Sequence, residues 1–325
     1  MTPRISVVVP TYRRPAMLHR CLTALAGQDL PAGEFEIVVV HDGPSDVTAR
    51  LVRQWARRLA ERGGPRLIFL SPPHGGPAAA RNAGWRAASA GMVAFTDDDA
   101  VPDRGWLVAT LAAMTPDVDA AWGPVVVPLP KAPTDYEVDA ARLALSQFVT
   151  ANCFCRKRLL ERLGGFDERF ERAWREDSDL WFRLLDAGAR VEHVPGAVVV
   201  HPVRPASWGI SLLQQRKVLY DALLFKKHRE LYRRLIRKRP RWDYYSIVAA
   251  LAALALSLAG GPGPIAAAAG ALWLVLTARF CAARLERVAK TPVHVVEVVV
   301  TSMLIPPIAV FWRLVGALRY RVVFL

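Results

Sequence analysis

The sequence predicts an α/β fold, in which a mostly parallel β-sheet with flanking helices is followed by a C-terminal helical membrane region. Three observations support this prediction. Short apolar runs alternate with amphipathic stretches up to about residue 205, whereas residues 244–280 are almost entirely apolar. The hydrophobic share of the 325 residues is 53%, which is high for a soluble enzyme. We therefore expect a globular domain over residues 1–205 and membrane-associated segments after it.

The globular part contains four predicted strands separated by helices and turns. Proline at position 15 favours a helix start, because the first helical position tolerates the missing amide hydrogen. The predicted elements are strand Ile5–Val9, a turn at Pro10–Arg14, a helix from Pro15, strands Glu36–His41 and Arg66–Leu70, a helix over Ala78–Ala90 and strand Met92–Phe95. Strands that alternate with helices form a parallel sheet, which binds ligands at the carboxyl ends of its strands.

Three consecutive aspartates follow the fourth strand in the segment FTDDDA. Side chains alternate along an extended segment, so Asp97 and Asp99 can converge on one divalent cation while Asp98 faces elsewhere. A cation held in this way commonly bridges phosphates. Taken alone, the run is equally compatible with an acidic loop or a helix N-cap.

Other polar side chains lie at or near the carboxyl ends of the predicted strands, and we expect them to share a crevice with the aspartates. Tyr12 follows the first strand and Asp42 the second, and Arg81 lies in the helix after the third. Asp42 could accept hydrogen bonds from a base or ribose, and Arg81 could meet a phosphate. The chain has neither a G-x-x-x-x-G-K-[ST] loop nor a G-x-G-x-x-G after the first strand. A nucleoside diphosphate site is therefore favoured over a kinase-type or dinucleotide site.

A second acidic group lies in the segment WREDSDLWFRLLDAG, which predicts an amphipathic helix. Glu176, Asp177 and Asp179 fall in its first turn, where carboxylates interact favourably with the helix dipole and can simply cap the helix. The alternative is a general base that faces an acceptor hydroxyl. A strand-like run, Ala197–Val200, ends at His201, which is either a metal ligand or a histidine at a strand end.

The net charge of +14 is concentrated next to the apolar region. The run Lys226–Arg241 has nine Lys and Arg residues and one acid, and a second basic stretch, Arg279–Lys290, follows the apolar residues. This arrangement is typical of the cytoplasmic face of membrane proteins and of contacts with anionic lipids. Membrane lipids, rather than nucleic acid, are therefore the expected partners of the basic runs.

The apolar region predicts two membrane-spanning helices, Tyr244–Ala259 and Ile265–Phe280, joined outside the cytoplasm by the turn GGPGP. A single broken helix or a re-entrant hairpin is the alternative. The segment Val293–Trp312 contains His294, Glu297 and two prolines, and is predicted to be interfacial or re-entrant. The resulting domains are residues 1–205, 206–243, 244–280 and 281–325.

Residues 206–243 are predicted to form amphipathic and basic interfacial helices. The apolar positions are compatible with either an interfacial helix face or an ordinary core helix. These positions are Trp208, Leu212, Leu213, Leu219 and Leu223. The start of the chain lacks a signal-peptide pattern, so the first domain is expected in the cytoplasm. The four cysteines form no C-x-x-C pair and are expected to be buried thiols.

Taken together in order, these motifs closely resemble the family-2 glycosyltransferases, which have a GT-A fold, a Rossmann-like and mostly parallel architecture. The matching segments between residues 4 and 205 are VVVPTYRRP, EIVVVHDG, GGPAAARNAGW, FTDDDAVP, GGFDERF, WREDSDLWFRL and VVVHP. Any one segment is a weak signal, but seven in the same order and spacing are specific. The chain departs from processive synthases, which carry Q-x-x-R-W, because it has only QQRKV at positions 214–218.

The resemblance implies roles for residues at matching positions. The nucleotide-sugar donor would be bound by Pro10, Thr11, Tyr12, Arg14, Asp42, Arg81, Asp97, Asp98 and Asn152. The metal would be held by Asp97 and Asp99 of the D-x-D motif, with His201 completing its shell. Asp177 would be the catalytic aspartate, with Glu176 beside it. An acceptor-side loop would contain Gly164, Gly165, Phe166 and Asp167.

The expected activity is inverting transfer of one sugar from a nucleotide-diphosphate sugar, with a UDP-sugar favoured, to a lipid-linked or cell-envelope glycan acceptor. The reaction would occur at the cytoplasmic face of the membrane. Asp177 would act as general base, and Mn²⁺ or Mg²⁺ would stabilise the charge of the leaving phosphates. The alternatives are a processive polysaccharide synthase and a catalytically silent adaptor that binds nucleotide sugars in a membrane.

Overall fold

The computed structural model describes residues 2–286 and 288–324, which form two compact units. The first unit contains the chain up to Pro128 together with Arg142–Val203. The second contains Leu129–Ala141 and the chain from Arg204 onward. The sequence prediction placed the first boundary at residue 205 and assigned Leu129–Ala141 to the globular domain. In the structure, this short segment belongs to the second unit.

The elements of the first unit alternate as predicted over its N-terminal half. Its strands are β1 (Ile5–Thr11), β2 (Phe35–His41), β3 (Arg66–Leu70), β4 (Met92–Phe95), β5 (Val101–Pro102), β6 (Ala120–Trp122), β7 (Val125–Val126), β8 (Cys153–Arg156), β9 (Val191–His193) and β10 (Val199–Val200). The helices in chain order are α1 (Pro15–Ala26), α2 (Asp46–Glu61), α3 (Pro77–Ala87), α4 (Trp106–Ala113), α5 (Asp135–Ala141, second unit), α6 (Lys157–Leu163) and α7 (Glu176–Asp186).

The main sheet has seven strands in the order β3-β2-β1-β4-β8-β6-β9. The first four strands of the chain are mutually parallel, and β8 is antiparallel to both of its neighbours. Thr11 is paired with His41, and Val8 is paired with Phe95. The carboxyl ends of β1, β2 and β4 therefore lie along one edge, and the segments that follow them share that edge. This confirms the predicted α/β fold with a mostly parallel sheet.

A second, three-stranded sheet has the order β5-β10-β7. β5 directly follows the aspartate run, and β10 pairs with it antiparallel, with Val200 opposite Val101. This register brings the residue after β10, His201, back to the aspartates that precede β5. The predicted strand Ala197–Val200 is only two residues long in the structure. His201, which follows it, nevertheless lies next to Asp99.

Alternating residues of the buried strands fill two cores, one on each face of the main sheet. Val7 and Val9 of β1 belong to one core, and Val8 belongs to the other. Helix α3 lies very close to the second face, because a Cβ built on Gly84 would be only 2.4 Å from Cγ1 of Val8. Glycine at this position therefore lets α3 approach β1. Three of the four cysteines are buried and none is in a disulfide, and Cys281 is half-buried.

The second unit contains α5 and the remaining helices. These are α8 (Ile210–Gln214), α9 (Leu219–Lys227), α10 (Arg229–Leu231), α11 (Trp242–Ala259), α12 (Pro264–Leu285) and α13 (Pro292–Tyr320). Among the described residues, α11, α12 and α13 are long and apolar enough to cross a membrane. Two separate helices, α11 and α12, occupy the predicted hairpin, rather than one broken helix. The third apolar stretch is one continuous 29-residue helix, so it does not turn back as a re-entrant segment would.

Helix α13 contacts the α11–α12 hairpin near the hairpin's open end. Tyr244 near the start of α11 and Phe280 near the end of α12 pack in one cluster with Ile305 of α13. Leu256 and Leu272, farther along the hairpin, are exposed. The contacts thus lie where α11 begins and α12 ends, which fits a helix that crosses the hairpin mouth.

The apolar positions of residues 206–243 were compatible with either an interfacial or a core helix, and helix α9 is a core helix. Its residues Leu219 and Leu223 are buried, and a Cβ built on Gly316 of α13 would lie 2.6 Å from the carbonyl oxygen of Leu219. Trp208 and Leu213, which precede α9, are exposed. Leu212 is half-buried against the cluster that contains Tyr244, so α9 is a core helix and the segment before it is only partly exposed.

An ion pair explains why α5 belongs to the second unit. Arg284 of α12 contacts Asp135 through two nitrogens, at 2.7 Å and 3.3 Å, and also donates to Thr301 and Ser302 of α13. The backbone amide of Asp135 donates to Nε2 of His294 at 3.1 Å. These polar contacts attach α5 to α12 and α13. A pairing over 149 residues has no local sequence signal.

Candidate functional site

The aspartate run forms a turn immediately after β4. The amide of Ala100 donates to the carbonyl of Asp97 at 3.1 Å. Asp98 accepts from Oγ1 of Thr11 at 2.7 Å and from the guanidinium of Arg14 at 3.3 Å. Burial raises the pKa of Asp98, although Arg14 and Thr11 oppose this shift. Asp98 thus binds the end of β1 and the segment after it, as expected for a residue that faces away from a metal. The geometry comes from a turn rather than from strand alternation.

Asp97, Asp99 and His201 form a cluster with the geometry of a metal site. One ligand atom from each lies within 4.8 Å of the others. Nε2 of His201 is 3.3 Å from Oδ1 of Asp99 and 4.0 Å from Oδ2 of Asp97. Two carboxylates and one imidazole suit a divalent ion such as Mn²⁺ or Mg²⁺. The residues present therefore fit the expected ion, and the pairing of β5 with β10 explains how His201 reaches the aspartates.

Arg81 of α3 connects this cluster to the start of α7. Its side chain is 3% exposed, and it donates to Oδ1 of Asp97 at 2.7 Å and to Oε1 of Glu176 at 3.0 Å. The two carboxylates hold the guanidinium inside the protein. Arg81 thus connects the cluster of Asp97, Asp99 and His201 to the start of α7, and the phosphate contact expected from sequence stays a prediction.

Glu176 and Asp177 begin α7 and have different surroundings. Glu176 is buried, and burial raises its pKa to about 7 against the opposing charge of Arg81. Asp177 is half-buried and accepts from the amide and hydroxyl of Ser178 at 2.6 and 3.2 Å. Burial also raises the pKa of Asp177. Asp177 is therefore the more accessible of the two carboxylates. The residue before them, Arg175, has a left-handed backbone conformation with φ of 76°.

The segments after β1 and β2 form an aromatic and acidic edge. The ring of Tyr12, which is 39% exposed, stacks on His74 at a centroid distance of 5.0 Å and lies 6.0 Å from His41. Asp42 accepts from the amides of Gly75 and Gly76 at 2.8 and 3.1 Å. This edge can present ring faces and a carboxylate to a flat polar ring.

The histidines at this edge were not singled out from sequence. Nδ1 of His74 lies 2.8 Å from the Asp42 carboxylate, and Nε2 of His41 accepts from the amide of Arg13. His41 ends β2 and His74 lies in the PPHGGP segment, so their positions at strand ends were the available signal. Pro10, predicted to line the nucleotide pocket, is buried within β1 opposite Val40.

Gly76 is needed where the chain enters α3. Its φ is +88°, and a Cβ built on it would lie 2.6 Å from the carbonyl oxygen of Glu171. The positive φ and the close backbone both exclude a side chain. The resulting conformation directs two amides at Asp42, so the glycine pair both turns the chain and positions that carboxylate.

Asn152 is fully buried and serves the scaffold. Its amide nitrogen donates to the carbonyls of Ala197 at 2.7 Å and Pro124 at 2.9 Å, and its oxygen accepts from Nε1 of Trp106 at 2.8 Å. Both amide hydrogens are used within the protein. These bonds connect β6, β8, α4 and the segment before β10, and the donor-sugar contact expected of Asn152 stays a prediction.

The loop expected on the acceptor side is attached to α3 through Asn82. This side chain exchanges two hydrogen bonds of 2.9 Å with the backbone of Phe166 and accepts from Nε1 of Trp85 at 2.8 Å. Gly165 has φ +71°, and a Cβ there would be 2.4 Å from the Asn82 oxygen. Gly164 ends α6 in a left-handed conformation, and Asp167 forms an ion pair with Arg169. Asn82 was not predicted to matter, and its position next to Arg81 was the available signal.

Comparisons with known proteins agree with the family that the motifs resemble. A model of "Glycosyl transferase family 2" matches residues 6–166, and a model of "Glycosyl transferase family group 2" matches residues 92–312. The pre-mycofactocin glycosyltransferase of Mycobacterium tuberculosis is 32% identical over 217 residues, which are 62% of this chain and 43% of that protein. The glycosyltransferase AglE of Haloferax volcanii is 27% identical over 62% of this chain and 68% of its own. The chain thus spans less than half the length of the mycobacterial relative.

Solved structures show the same fold. A mannosyltransferase from Pyrobaculum calidifontis, determined in complex with GDP-Man and Mn²⁺, superposes with a TM-score of 0.61 and 25% identity. The superposition covers 97% of this chain and 88% of that chain. Because the family group model matches more than half of this chain, and the fold and the order of the motifs agree with it, the protein belongs to the family-2 glycosyltransferases with a GT-A fold.

Proposed function

We propose that the protein transfers a single sugar from a nucleotide-diphosphate sugar to an acceptor hydroxyl, with inversion at the anomeric carbon. The observation that supports this most strongly is the chain of contacts from the metal cluster to the catalytic helix. Asp97 belongs to the cluster, Glu176 precedes Asp177, and Arg81 binds both at 2.7 and 3.0 Å. These contacts would hold a site for the leaving diphosphate and a base for the acceptor at a fixed distance from each other.

The donor would lie along the edge formed by β1, β2 and β4. Tyr12 would stack on the base, and Asp42, fixed by the amides of Gly75 and Gly76, would accept hydrogen bonds from its edge. Asp97, Asp99 and His201 would hold the divalent ion. When bound, this ion neutralises charge that accumulates on the leaving phosphates. The mixed oxygen and nitrogen ligands make Mn²⁺ slightly preferable to Mg²⁺.

Asp177 would accept the proton of the attacking hydroxyl. It lies at a helix N-terminus, which favours the ionised form, while burial raises its pKa above that of an ordinary aspartate. A base that activates the acceptor for direct attack on the anomeric carbon produces inversion. Buried Glu176 would keep Asp177 in position through the ion pair with Arg81.

We propose a UDP-sugar as donor and a lipid-linked or cell-envelope glycan as acceptor, at the cytoplasmic face of the membrane. The Pyrobaculum mannosyltransferase was determined with GDP-Man, so guanine is the alternative base. The apolar helices and the basic runs that flank α11 and α12 support membrane attachment with the catalytic unit in the cytoplasm. The contacts of α13 at the hairpin mouth support an interfacial position for this helix. QQRKV in place of Q-x-x-R-W supports a single transfer over processive synthesis.

The test is binding of nucleotides to the purified full-length protein, followed by turnover. Calorimetry with UDP, GDP, dTDP and ADP, each with Mn²⁺, Mg²⁺ or chelator, is expected to show metal-dependent preference for UDP. NMR of the product formed from the matching sugar nucleotide should show the inverted anomer. Retention of configuration would refute the role of Asp177. Metal-dependent binding without any turnover, including hydrolysis, would favour the silent adaptor, and long products would favour a processive synthase.

A further inference from the structure

A tryptophan and a histidine pack against each other at the carboxyl ends of β6 and β9. The rings of Trp122 and His193 have centroids 4.2 Å apart and an interplanar angle of 35°. Trp122 is half-buried and His193 is exposed. Among the residues that the structure describes, neither Nε1 of Trp122 nor the imidazole nitrogens of His193 have a hydrogen-bond partner. The pair therefore presents aromatic surface and unused polar nitrogens to solvent.

The register of the main sheet places this pair in one row with the end of β4. Phe95 of β4 and Trp122 of β6 are both opposite Cys153 of β8. His193 is opposite Trp122. Neighbouring strands are about 4.8 Å apart, so Trp122 lies roughly 10 Å from Phe95, and His193 one strand farther. Because Asp97 follows Phe95 by two residues, the aromatic pair lies at the same edge as the metal cluster.

The pair also lies on the face of the sheet that α7 covers. Leu180 and Leu184 of α7 belong to the core that contains Phe95. The side chain of Trp122 packs against this same core. The first turn of α7 contains Asp177. Trp122 is therefore on the side of the sheet where the proposed general base lies.

The strand order gives the proposed donor a direction along this edge. Asp42 follows β2, Tyr12 follows β1 and the metal cluster begins after β4, whereas the aromatic pair lies at β6 and β9. A donor with its base at β1 and β2 and its phosphates at β4 would extend its sugar toward β8. The anomeric carbon is joined through one oxygen to a metal-bound phosphate, so the donor sugar would stay close to β4. Rings two and three strands beyond β4 are then within reach of the attacking molecule.

The chemistry of the pair suits a sugar ring. The C–H groups of a pyranose form an apolar surface that packs on aromatic rings, and its hydroxyls can exchange hydrogen bonds with ring nitrogens. A phosphate would instead require a cation. Arg190, which precedes β9, already forms ion pairs with Asp117 and Glu192. The pair therefore favours a carbohydrate over a phosphate group.

We propose that Trp122 and His193 bind the sugar ring of the acceptor. The attacking hydroxyl would then belong to a saccharide, and a bare lipid phosphate would not be the acceptor. This inference rests on the proposed function and deepens it, because it names the class of acceptor that the site recognises. The two rings would hold the acceptor sugar on the side of the metal cluster opposite to Tyr12 and Asp42.

The experiment measures binding of simple glycosides to the full-length protein in detergent. Saturation-transfer NMR is recorded with the methyl glycosides of glucose, galactose, mannose and N-acetylglucosamine, with UDP and Mn²⁺ and again without them. Wild type should transfer saturation to the ring protons of at least one glycoside. Trp122→Leu and His193→Ala should each weaken this binding about tenfold, a loss compatible with one aromatic contact. Trp122→Phe keeps an aromatic ring and should lose less than about threefold.

His19→Ala is the matched control. His19 is also an exposed histidine of the first unit that contacts a tryptophan, with its ring centroid 5.3 Å from that of Trp55. Trp55 belongs to the core on the other face of the main sheet. This variant should bind glycosides like wild type. Equal losses in His19→Ala and His193→Ala would overturn the proposal, and this comparison stands even if Trp122→Leu does not fold.

The remaining outcomes separate the acceptor site from the proposed function. Metal-dependent UDP binding, measured by calorimetry on the same preparations, should be unchanged in all variants. Wild type that binds UDP but no glycoside would overturn the acceptor class and leave the transferase proposal intact. Unchanged glycoside binding in His193→Ala, with weaker binding of a UDP-sugar than of UDP, would assign the rings to the donor sugar instead. Glycoside binding without any nucleotide binding would reject the proposed function alone.

Discussion

Replacement of Arg81 by methionine tests whether the buried guanidinium braces the site. The substitution keeps a long apolar side chain but removes the charge that Asp97 and Glu176 share at 2.7 and 3.0 Å. Removing one partner of a buried ion pair costs about 3–5 kcal/mol, because the remaining charge is left unpaired. For a domain of roughly 150–250 residues, this corresponds to a melting temperature lower by about 6–20 °C.

The loss of unfolding free energy caused by Arg81→Met should depend on pH. Burial raises the folded-state pKa of Glu176 to about 7, above its ordinary value of 4.5. The folded state therefore binds more protons than the unfolded state between these values, and this contribution to stability declines as pH rises through 7. Arg81 opposes the shift in wild type, so its removal raises the pKa of Glu176 further. The destabilisation by Arg81→Met should consequently be smaller at pH 6, where Glu176 takes up a proton, than at pH 8.

The assay is thermal unfolding of the full-length protein in detergent, followed by tryptophan fluorescence at both pH values. Arg86→Met is the matched control, because Arg86 lies on the same helix, is 55% exposed and is 3.8 Å from its partner Glu168. It should change the unfolding free energy by less than about 0.5 kcal/mol. Equal melting temperatures for the two variants, with a raised KM for the donor in Arg81→Met alone, would refute the stabilising role of the Arg81 ion pairs. That result would favour the contact between Arg81 and a donor phosphate.

Three further substitutions test other parts of the site and fold. Asp177→Asn should lower kcat about 10²–10⁴-fold with donor affinity unchanged. In the wild type, activity should fall as the pH drops through the raised pKa of Asp177, so the acidic limb of the pH–rate profile should lie above the range of an ordinary aspartate. A large loss of donor affinity in calorimetry would contradict this role. Asp99→Ala should abolish the Mn²⁺-dependent part of donor binding, measured with and without chelator; unchanged binding would make the aspartate run structural. Asp135→Asn should weaken the ion pair with Arg284 and increase proteolysis within Leu129–Ala141, and an unchanged cleavage rate would show that this pair does not hold α5.

The parts of the fold that follow from local pattern could be predicted from the sequence. The runs that became β1 to β4 are short and apolar and end in polar or turn-forming residues, so their positions and the shared edge at Tyr12, Asp42 and Asp97 were accessible. The divergence of Asp98 from its neighbours was also expected. The cause of this divergence could not be predicted, because alternation along a strand and a turn closed by the Ala100 amide both direct Asp98 away from its neighbours.

Contacts between residues far apart in the chain could not be predicted in the same way. Arg81 and Glu176 are separated by 95 residues, and either residue alone is compatible with a phosphate contact or a helix cap. The burial of Asn152 depends on three partners from different elements. The residues alone left His201 as either a metal ligand or a histidine at a strand end. Its position beside the aspartates depends on the register of β5 and β10, which are strands of two residues each.

Helix α3 explains why one short segment carries so many of the motif residues. The amides of the two glycines just before it donate to Asp42, and Arg81 donates to Asp97 and Glu176. Asn82 binds the backbone of Phe166, and Gly84 allows the helix to approach β1. Asp42, the cluster of Asp97, Asp99 and His201, the start of α7 and the loop at Phe166 are thus all attached to α3 and the two glycines before it. None of these contacts requires α3 to bind substrate. The sequence of this helix is therefore constrained by the geometry that it imposes on its neighbours, and this accounts for an arginine, an asparagine and a glycine in a helix whose buried face would otherwise accommodate apolar residues.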